Sequence, residues 1–486
     1  MSTTMRVMFS AFFSLAMDSI VKATRALVFI MVARYLGPVD SGAFTIALSY
    51  QAIFQAFTLA GTDYLLIREV ARDNGVAADY FVHIAALKSA LSVVSWAALL
   101  VFLMLLGTTF HYSPNTNRVI LLLSLAILPE GLGEVCRALF VAFERLLFPT
   151  IVAVVVSTAK LGTVYLLLHQ GAGVETVALV VVIASGLSVA ANLVFIFGRL
   201  VKPVWTLRYD FFRTLLPNLS NFAGMGILRI LEYHITILVL SYISGEQQVG
   251  IYNAAYTLVL AVLMASQAYG SGFMPLLSRL HAESQYTRLT LVYRRSVQLI
   301  LVIGLPIVIA LIWFSSTLVL SVYTPRYEET IPVLQVLSPV ILFTLFFAPH
   351  MCIMLAANLQ KWVVRILLVS IVTNVLAGVL LIPRYGAIGA SVARVVATGI
   401  AAILCYMVVY VKVVHVRLLQ LVGFPVLAGA VMVGAAWALR HTRPWVALLS
   451  SGAAYLVTLV LPAVLSRKHR RLALQMIGCS RPSHGA

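Results

Sequence analysis

The sequence predicts an all-α integral membrane protein of about fourteen transmembrane helices, built as two pseudo-twofold six-helix lobes plus two C-terminal helices. Composition, the length of the apolar runs and an internal repeat carry that expectation. Of 486 residues, 62% are hydrophobic and only 10% charged, and the mean hydropathy is +1.01. Roughly a quarter of the positions in a soluble domain are charged, so that class is excluded. The apolar runs are continuous over ~20 residues, the length a membrane helix needs, instead of alternating over ~10 as a barrel strand does.

Taken in order, the spans fall at 9–33, 42–65, 81–107, 119–142, 148–169, 174–199, 211–243, 249–275, 293–323, 330–357, 361–383, 386–411, 419–439 and 444–466. Turn-forming residues separate them: Gly37-Pro38, the loop His111 to Asn117, Gly171 to Gly173, Pro203, Ser244-Gly245, Pro332, Pro383 and Pro444. The N-terminal run is too long for a signal-peptide core and is followed by no small-residue cleavage site, so it reads as a retained first span. An even number of spans puts both termini on one side. Loops on that side hold 22 of the 34 Lys and Arg residues and the opposite loops hold 6, which predicts cytoplasmic termini in a multi-pass cell-membrane protein. The net charge of +18 is thereby spread over short loops as a topology signal, so nucleic acid is not an expected partner. The basic run 467–471 stops the last span and meets anionic membrane lipids.

Residues 33–50 resemble 240–258, with Tyr35 on Tyr242, Gly42 on Gly250, Phe44 on Tyr252 and Ala47 on Ala255. Residues 166–186 likewise align with 380–399, setting Gly171 on Gly386. The organisation expected is a lobe at 1–205, a second at 206–411 joined by the basic linker 198–210, two added helices at 412–466 and a basic tail at 467–486. Each repeat begins on an odd-numbered span, so the lobes are parallel and related by an axis along the membrane normal.

The chemistry lies in charges at membrane depth. Asp18, Lys22 and Arg25 share one face of the first span, since steps of four and three return to the same side of a helix. Lys88, Lys160, Arg229 and Arg394 are further cations within spans, and Glu232, Glu130 and Glu134 are acidic groups there. Each intramembrane charge costs on the order of 2.5–3.5 kcal/mol on insertion scales, which favours a face lining an aqueous cavity. A structural reading stands beside the functional one at every position. Asp18 can pair along its helix with Lys22 or Arg25, and Arg229 with Glu232. Lys88 can snorkel to the interface, Arg394 can bond backbone carbonyls, and Glu130 and Glu134 can bond Arg137. Six intramembrane cations (Lys22, Arg25, Lys88, Lys160, Arg229 and Arg394) define the expected substrate-binding surface, with Asp18 and Glu232 as ion-coupling candidates. Cys136, Cys352, Cys405 and Cys479 are scattered, with no CxxC and no His at ligand spacing, so neither a metal site nor a disulfide framework is expected.

RYLGPVDSGAF after the first span, VGIYNAAYTL after the seventh and NVLAGVLLIPRYGAIGASVA into the twelfth resemble the Wzx-like polysaccharide and oligosaccharide flippases of the multidrug/oligosaccharidyl-lipid/polysaccharide exporter superfamily. The resemblance spans essentially the whole chain. It implies two six-helix bundles, alternating access and export of a polyisoprenyl-pyrophosphate-linked glycan for cell-surface polysaccharide. It carries no catalytic residue; a monomer without a bound cofactor, working with polymerase and assembly proteins, is expected, and Asp18 and Glu232 motivate H+ or Na+ as a coupling ion, with uniport the alternative. A drug-cation antiporter of the same superfamily and a membrane glycan polymerase or ligase stay open as alternatives. The cationic face disfavours the first, and the short outer loops, with no visible triad, metal cluster or phosphate-binding loop, disfavour the second.

Overall fold

The computed structural model describes residues 3–58, 61–106, 112–202, 208, 211, 220–439 and 444–465. Most of the 198–210 linker, His111, Cys479 and the basic tail lie outside the described residues. No strand occurs among those described. The helices are α1 (Thr3–Leu36), α2 (Pro38–Ala56), α3 (Thr62–Arg72), α4 (Ala77–Leu106), α5 (Pro114–Ser124), α6 (Ile127–Ala142), α7 (Leu147–His169), α8 (Val174–Phe195), α9 (Ser220–Ala282), α10 (Tyr286–Trp313), α11 (Ser315–Val322), α12 (Thr330–Leu337), α13 (Pro339–Ala356), α14 (Gln360–Lys412), α15 (Leu418–Ala438) and α16 (Pro444–Leu465).

Helix occupies each of the fourteen stretches read from the sequence, with four changes of detail. The second span stops at Ala56, and α3 follows as a separate helix. The fourth is broken between α5 and α6, the ninth between α10 and α11, and the tenth between α12 and α13. Spans seven and eight are the two halves of α9, which kinks at Gly245 (φ 78°, ψ −175°), and spans eleven and twelve are the halves of α14, which kinks at Gly386 (φ 54°, ψ −127°). The break expected at Pro383 therefore falls three residues later; Pro383 itself stays inside the helix. Among the described residues eight helices are long and apolar enough to cross a membrane, including both kinked ones, and Pro425–Ala438 and Val446–Leu459 are shorter apolar helices.

Backbone geometry extends the repeat. Gly37, between α1 and α2, has φ 91° and ψ −174°, nearly the values at Gly245. That region of backbone space is essentially closed to residues with a Cβ, so both hairpin turns require glycine. The pair stands at the same spacing as Gly42 and Gly250, five residues further along each repeat.

Contacts group the chain into two compact units: Met1–Ala268 with Val319–Val333 and Val364–Ala401, and Tyr269–Leu318 with Leu334–Val363 and Ala402–Ala486. This grouping crosses the 205/206 boundary suggested by the repeat. In the first unit α1 packs on α7, α2 on α5, α4 on α6, and α8 on α5, α6 and α7. Leu66, Val70, Phe81, Ile84, Val135, Leu139 and Phe140 form a core between α3, α4 and α6, flanked by the stacked rings of Phe148 and Phe195 at 3.8 Å. In the second unit α10 packs on α13 and α15, and α15 on α16. Its Tyr455 hydroxyl donates to the Val302 carbonyl at 2.8 Å beside buried Ala428 and Met432. Large apolar side chains such as Met104, Leu105, Val194, Leu380 and Leu449 are each more than 70% exposed, a pattern suited to lipid contact and costly in water.

Candidate functional site

In the first unit, α1, α2, α6, α7 and α8 enclose a cavity of about 410 Å³. Its charged wall is made by two matching stripes. Asp18, Lys22 and Arg25 on α1, and Glu130, Glu134 and Arg137 on α6, both follow an i, i+4, i+7 pattern, which aligns three residues on one face. The stripes pair between helices. An Arg137 nitrogen lies 2.9 Å from an Asp18 oxygen, and Arg25 lies 3.8 Å from Glu130. Asp18 thus bonds across to α6.

Glu134 turns the other way. Lys88 on α4 has a fully buried side chain, with its Nζ 2.6 Å from Glu134 and 2.9 Å from Asp63 at the start of α3. The lysine lies behind the wall, held by two carboxylates; it neither snorkels nor lines the cavity. On the far wall Lys160 of α7 lines the cavity, and among the described residues it makes no ion pair within 4 Å. Gln51, Ser157, Ser185, Ser188 and Asn192 complete the polar lining beside Val28, Phe44, Leu48 and Val181.

Of the eight predicted site residues, Asp18, Lys22, Arg25 and Lys160 share this cavity. Arg394, 6% exposed, donates from Nη1 to the Glu232 carbonyl at 2.5 Å and lies 3.5 Å from the Glu232 carboxylate, which also accepts from Ser370 Oγ at 3.3 Å. The carbonyl bond expected of Arg394 is therefore present, joined by an ion pair between α14 and α9. Arg229 is exposed. Neither it nor the Arg394–Glu232 pair is among the cavity-lining residues. Arg137, near the end of the fourth span, was expected only as a partner for Glu130 and Glu134 and was not among the predicted site residues. Its signal is its spacing of seven from Glu130. Asp63 and Asn192 had no distinguishing sequence signal. Among the described residues no group of three or more His, Cys, Asp and Glu is placed to hold a metal ion, and Cys136, Cys352 and Cys405 are buried free thiols.

A family model described as polysaccharide biosynthesis protein matches residues 31–332, more than half of the chain. The chain belongs to that family. No curated protein matches the sequence. Three solved structures give the fold of this polysaccharide biosynthesis protein. The lipid II flippase MurJ, in an inward closed conformation, is similar over 95% of this chain and 100% of its own, with TM-score 0.75 and 14% identity. An inward-facing multidrug resistance MATE family transporter of the MOP superfamily covers 83% of this chain and 94% of its own, with TM-score 0.70 and 14% identity. A MOP superfamily transporter from Pyrococcus furiosus, whose binding pocket is described as having reverse polarity, covers 84% and 95%, with TM-score 0.61 and 14% identity. The protein thus has the all-helical architecture of MOP superfamily membrane transporters.

Proposed function

We propose that this protein is a flippase, not an enzyme, that moves a polyisoprenyl-pyrophosphate-linked oligosaccharide from the cytoplasmic to the outer leaflet by alternating access during cell-surface polysaccharide assembly. The observation that carries the reading is Lys160, a cation on the wall of the cavity between apolar helices, with no carboxylate within 4 Å among the described residues. Lys22, Arg25 and Arg137 line the same space, giving four cations against the three carboxylates Asp18, Glu130 and Glu134. Such a wall suits a compact anion. Lysine offers a point charge and arginine a two-pronged donor to phosphate oxygens, the neutral Gln51, Ser157, Ser185 and Asn192 offer partners to sugar hydroxyls, and the polyisoprenyl tail stays in lipid. The family match to polysaccharide biosynthesis supports the glycan part.

The drug-cation antiporter is the second reading, favoured by likeness to a multidrug transporter. A cationic drug would meet Lys160, which has no ion-pair partner among the described residues, so the sign of the wall argues against it. Under the proposed function the termini are cytoplasmic, the two lobes are the moving bodies, the chain acts as a monomer, and polymerase and assembly proteins receive its product. Native mass spectrometry of the purified protein tests the reading. A retained polyprenyl-pyrophosphate sugar is expected, and a Lys22→Ala/Lys160→Ala variant should lose it. Retention by that variant, or a drug-like amine in its place, rejects the proposal.

A further inference from the structure

Acidic residues are confined to one part of the chain. Residues 330–486 contain thirteen Lys and Arg and not one Asp or Glu. The second unit accordingly has a single acidic side chain, Glu283, and Arg279 already holds it at 2.8 Å. Like charges gathered without counterions repel, so a compact cationic face in this unit calls for an anion from elsewhere.

Such a face exists. α14 turns back at Gly386, so its first and last turns come side by side, and Lys412 Nζ stands 5.3 Å from the centre of the Trp362 ring. Lys361 is the next residue along the chain, and both lysines are exposed. Beyond α14 the Tyr406 hydroxyl donates to the Val416 carbonyl at 3.0 Å, and the Tyr410 and His415 rings meet edge-on at 5.4 Å. These contacts fold the connection against the last turns of α14 and hold exposed Arg417 at the same end. Among the described residues Lys361, Lys412 and Arg417 make no ion pair. The first turn of α14 and that of α15 both lack an acidic residue and a side-chain cap, so the helix dipoles add to the positive field instead of being offset.

The face has an apolar foot. Ile403, Met407 and Val411 follow an i, i+4, i+8 pattern on α14 and are 51%, 53% and 69% exposed, a track that leads away from Lys412. A tryptophan beside lysines, with apolar side chains on one hand and charge on the other, has the composition of a headgroup-level belt. A topology signal accounts for cations on one side of a membrane. It does not gather them around an aromatic ring above an apolar track.

We propose that Lys361, Lys412 and Arg417 bind the phosphate headgroup of an anionic phospholipid, with Trp362 at headgroup level and one acyl chain along Ile403, Met407 and Val411. The lipid supplies the counterion that the second unit lacks and fastens the α14–α15 junction to the bilayer. None of these residues lines the cavity, and the proposal holds whatever the cargo is.

The experiment follows the thermal unfolding midpoint of the purified full chain in a neutral detergent. Dioleoylphosphatidylglycerol, dioleoylphosphatidylcholine or inorganic phosphate is titrated in. Phosphatidylglycerol should raise the midpoint and the other two should not. Lys361→Gln/Lys412→Gln/Arg417→Gln should raise the half-saturating concentration of phosphatidylglycerol by about tenfold or more, given what each cation contributes near an anionic headgroup. Arg467→Gln/Lys468→Gln/Arg470→Gln removes the same charge from the tail and should leave that concentration unchanged. The proposal is overturned by no shift with phosphatidylglycerol, by an equal shift with phosphatidylcholine, by a full shift with inorganic phosphate, or by a loss in the tail variant alone. Where the first triple variant fails to fold, Trp362→Phe decides. Phosphatidylglycerol brominated near the headgroup end of its acyl chains should quench part of the parent's tryptophan emission, and that part should be missing from Trp362→Phe. Equal quenching in both proteins rejects the site.

Discussion

Lys88 shows how far a single residue's role depends on what stands behind it. Its charge lies in a long apolar helix, and its position about seven residues into the span predicts either a cavity cation or a snorkelling side chain. The structure buries it completely between Asp63 and Glu134. Removing one member of a buried ion cluster strands the others, so Lys88→Met should cost about 3–5 kcal/mol of stability. The companion variant Lys88→Met/Asp63→Asn/Glu134→Gln should recover most of that loss, both read as thermal unfolding midpoints in detergent. Three other site residues were legible from the sequence, because Asp18, Lys22 and Arg25 sit mid-span at helical spacing, where charge demands an aqueous wall. For Lys88 the sequence gives depth but not the face it turns to. That face depends on α3 and α6, and nothing in its own span records them.

At the scale of the element, the α1 and α6 stripes divide their charges in different ways. α1 offers one anion and two cations, α6 two anions and one cation, and two bonds run between them while Glu134 is drawn to α4. The α1 stripe was visible in the sequence; the α6 stripe was read only as Glu130 and Glu134 bonding Arg137 on their own helix, because nothing in that span records that α1 lies beside it. The break between α5 and α6 was also hidden, since an unbroken apolar run carries no sign of a change in helix direction. Gly245 was marked by its Ser-Gly pair, and its backbone can be tested alone. It has φ 78°, and a Cβ there would meet nothing within 4 Å. Gly245→Ala should therefore lower stability by about 1–3 kcal/mol through backbone strain alone. The expected readout is a lower thermal unfolding midpoint in detergent. Gly42→Ala should also lower stability, but its obstacle is a neighbouring carbonyl, the Glu246 oxygen 1.9 Å from the added Cβ, and not its own φ.

For the whole molecule, fold class was the most legible property, because continuous apolar runs and a low charge fraction are summed over hundreds of residues and local errors cancel. The grouping of helices into units was less legible. Sequence repeats record ancestry, whereas packing follows contact, and α9 and α14 each contribute to both units. Energy coupling belongs to this scale as well. Asp18 and Glu232 were the expected ion-coupling carboxylates, and each now has a cationic partner, Arg137 and Arg394 respectively. We propose that an incoming H+ or Na+ competes with the Arg137 partner of Asp18. Glycolipid uptake into inverted vesicles should then rise with an imposed gradient of that ion, and Asp18→Asn should abolish the rise. Uptake indifferent to both gradients would remove the coupling proposal and leave uniport.

The glycine contact between the hairpins also bears on how two similar stretches of one chain can vary. Gly42 and Gly250 cannot vary separately, since each is confined by a carbonyl belonging to the other stretch. A bulkier residue in one repeat becomes tolerable only after the opposite turn withdraws. The two turns thus share a constraint, and a chimera carrying one of them from a distant homologue should assemble only where both turns come from the same parent.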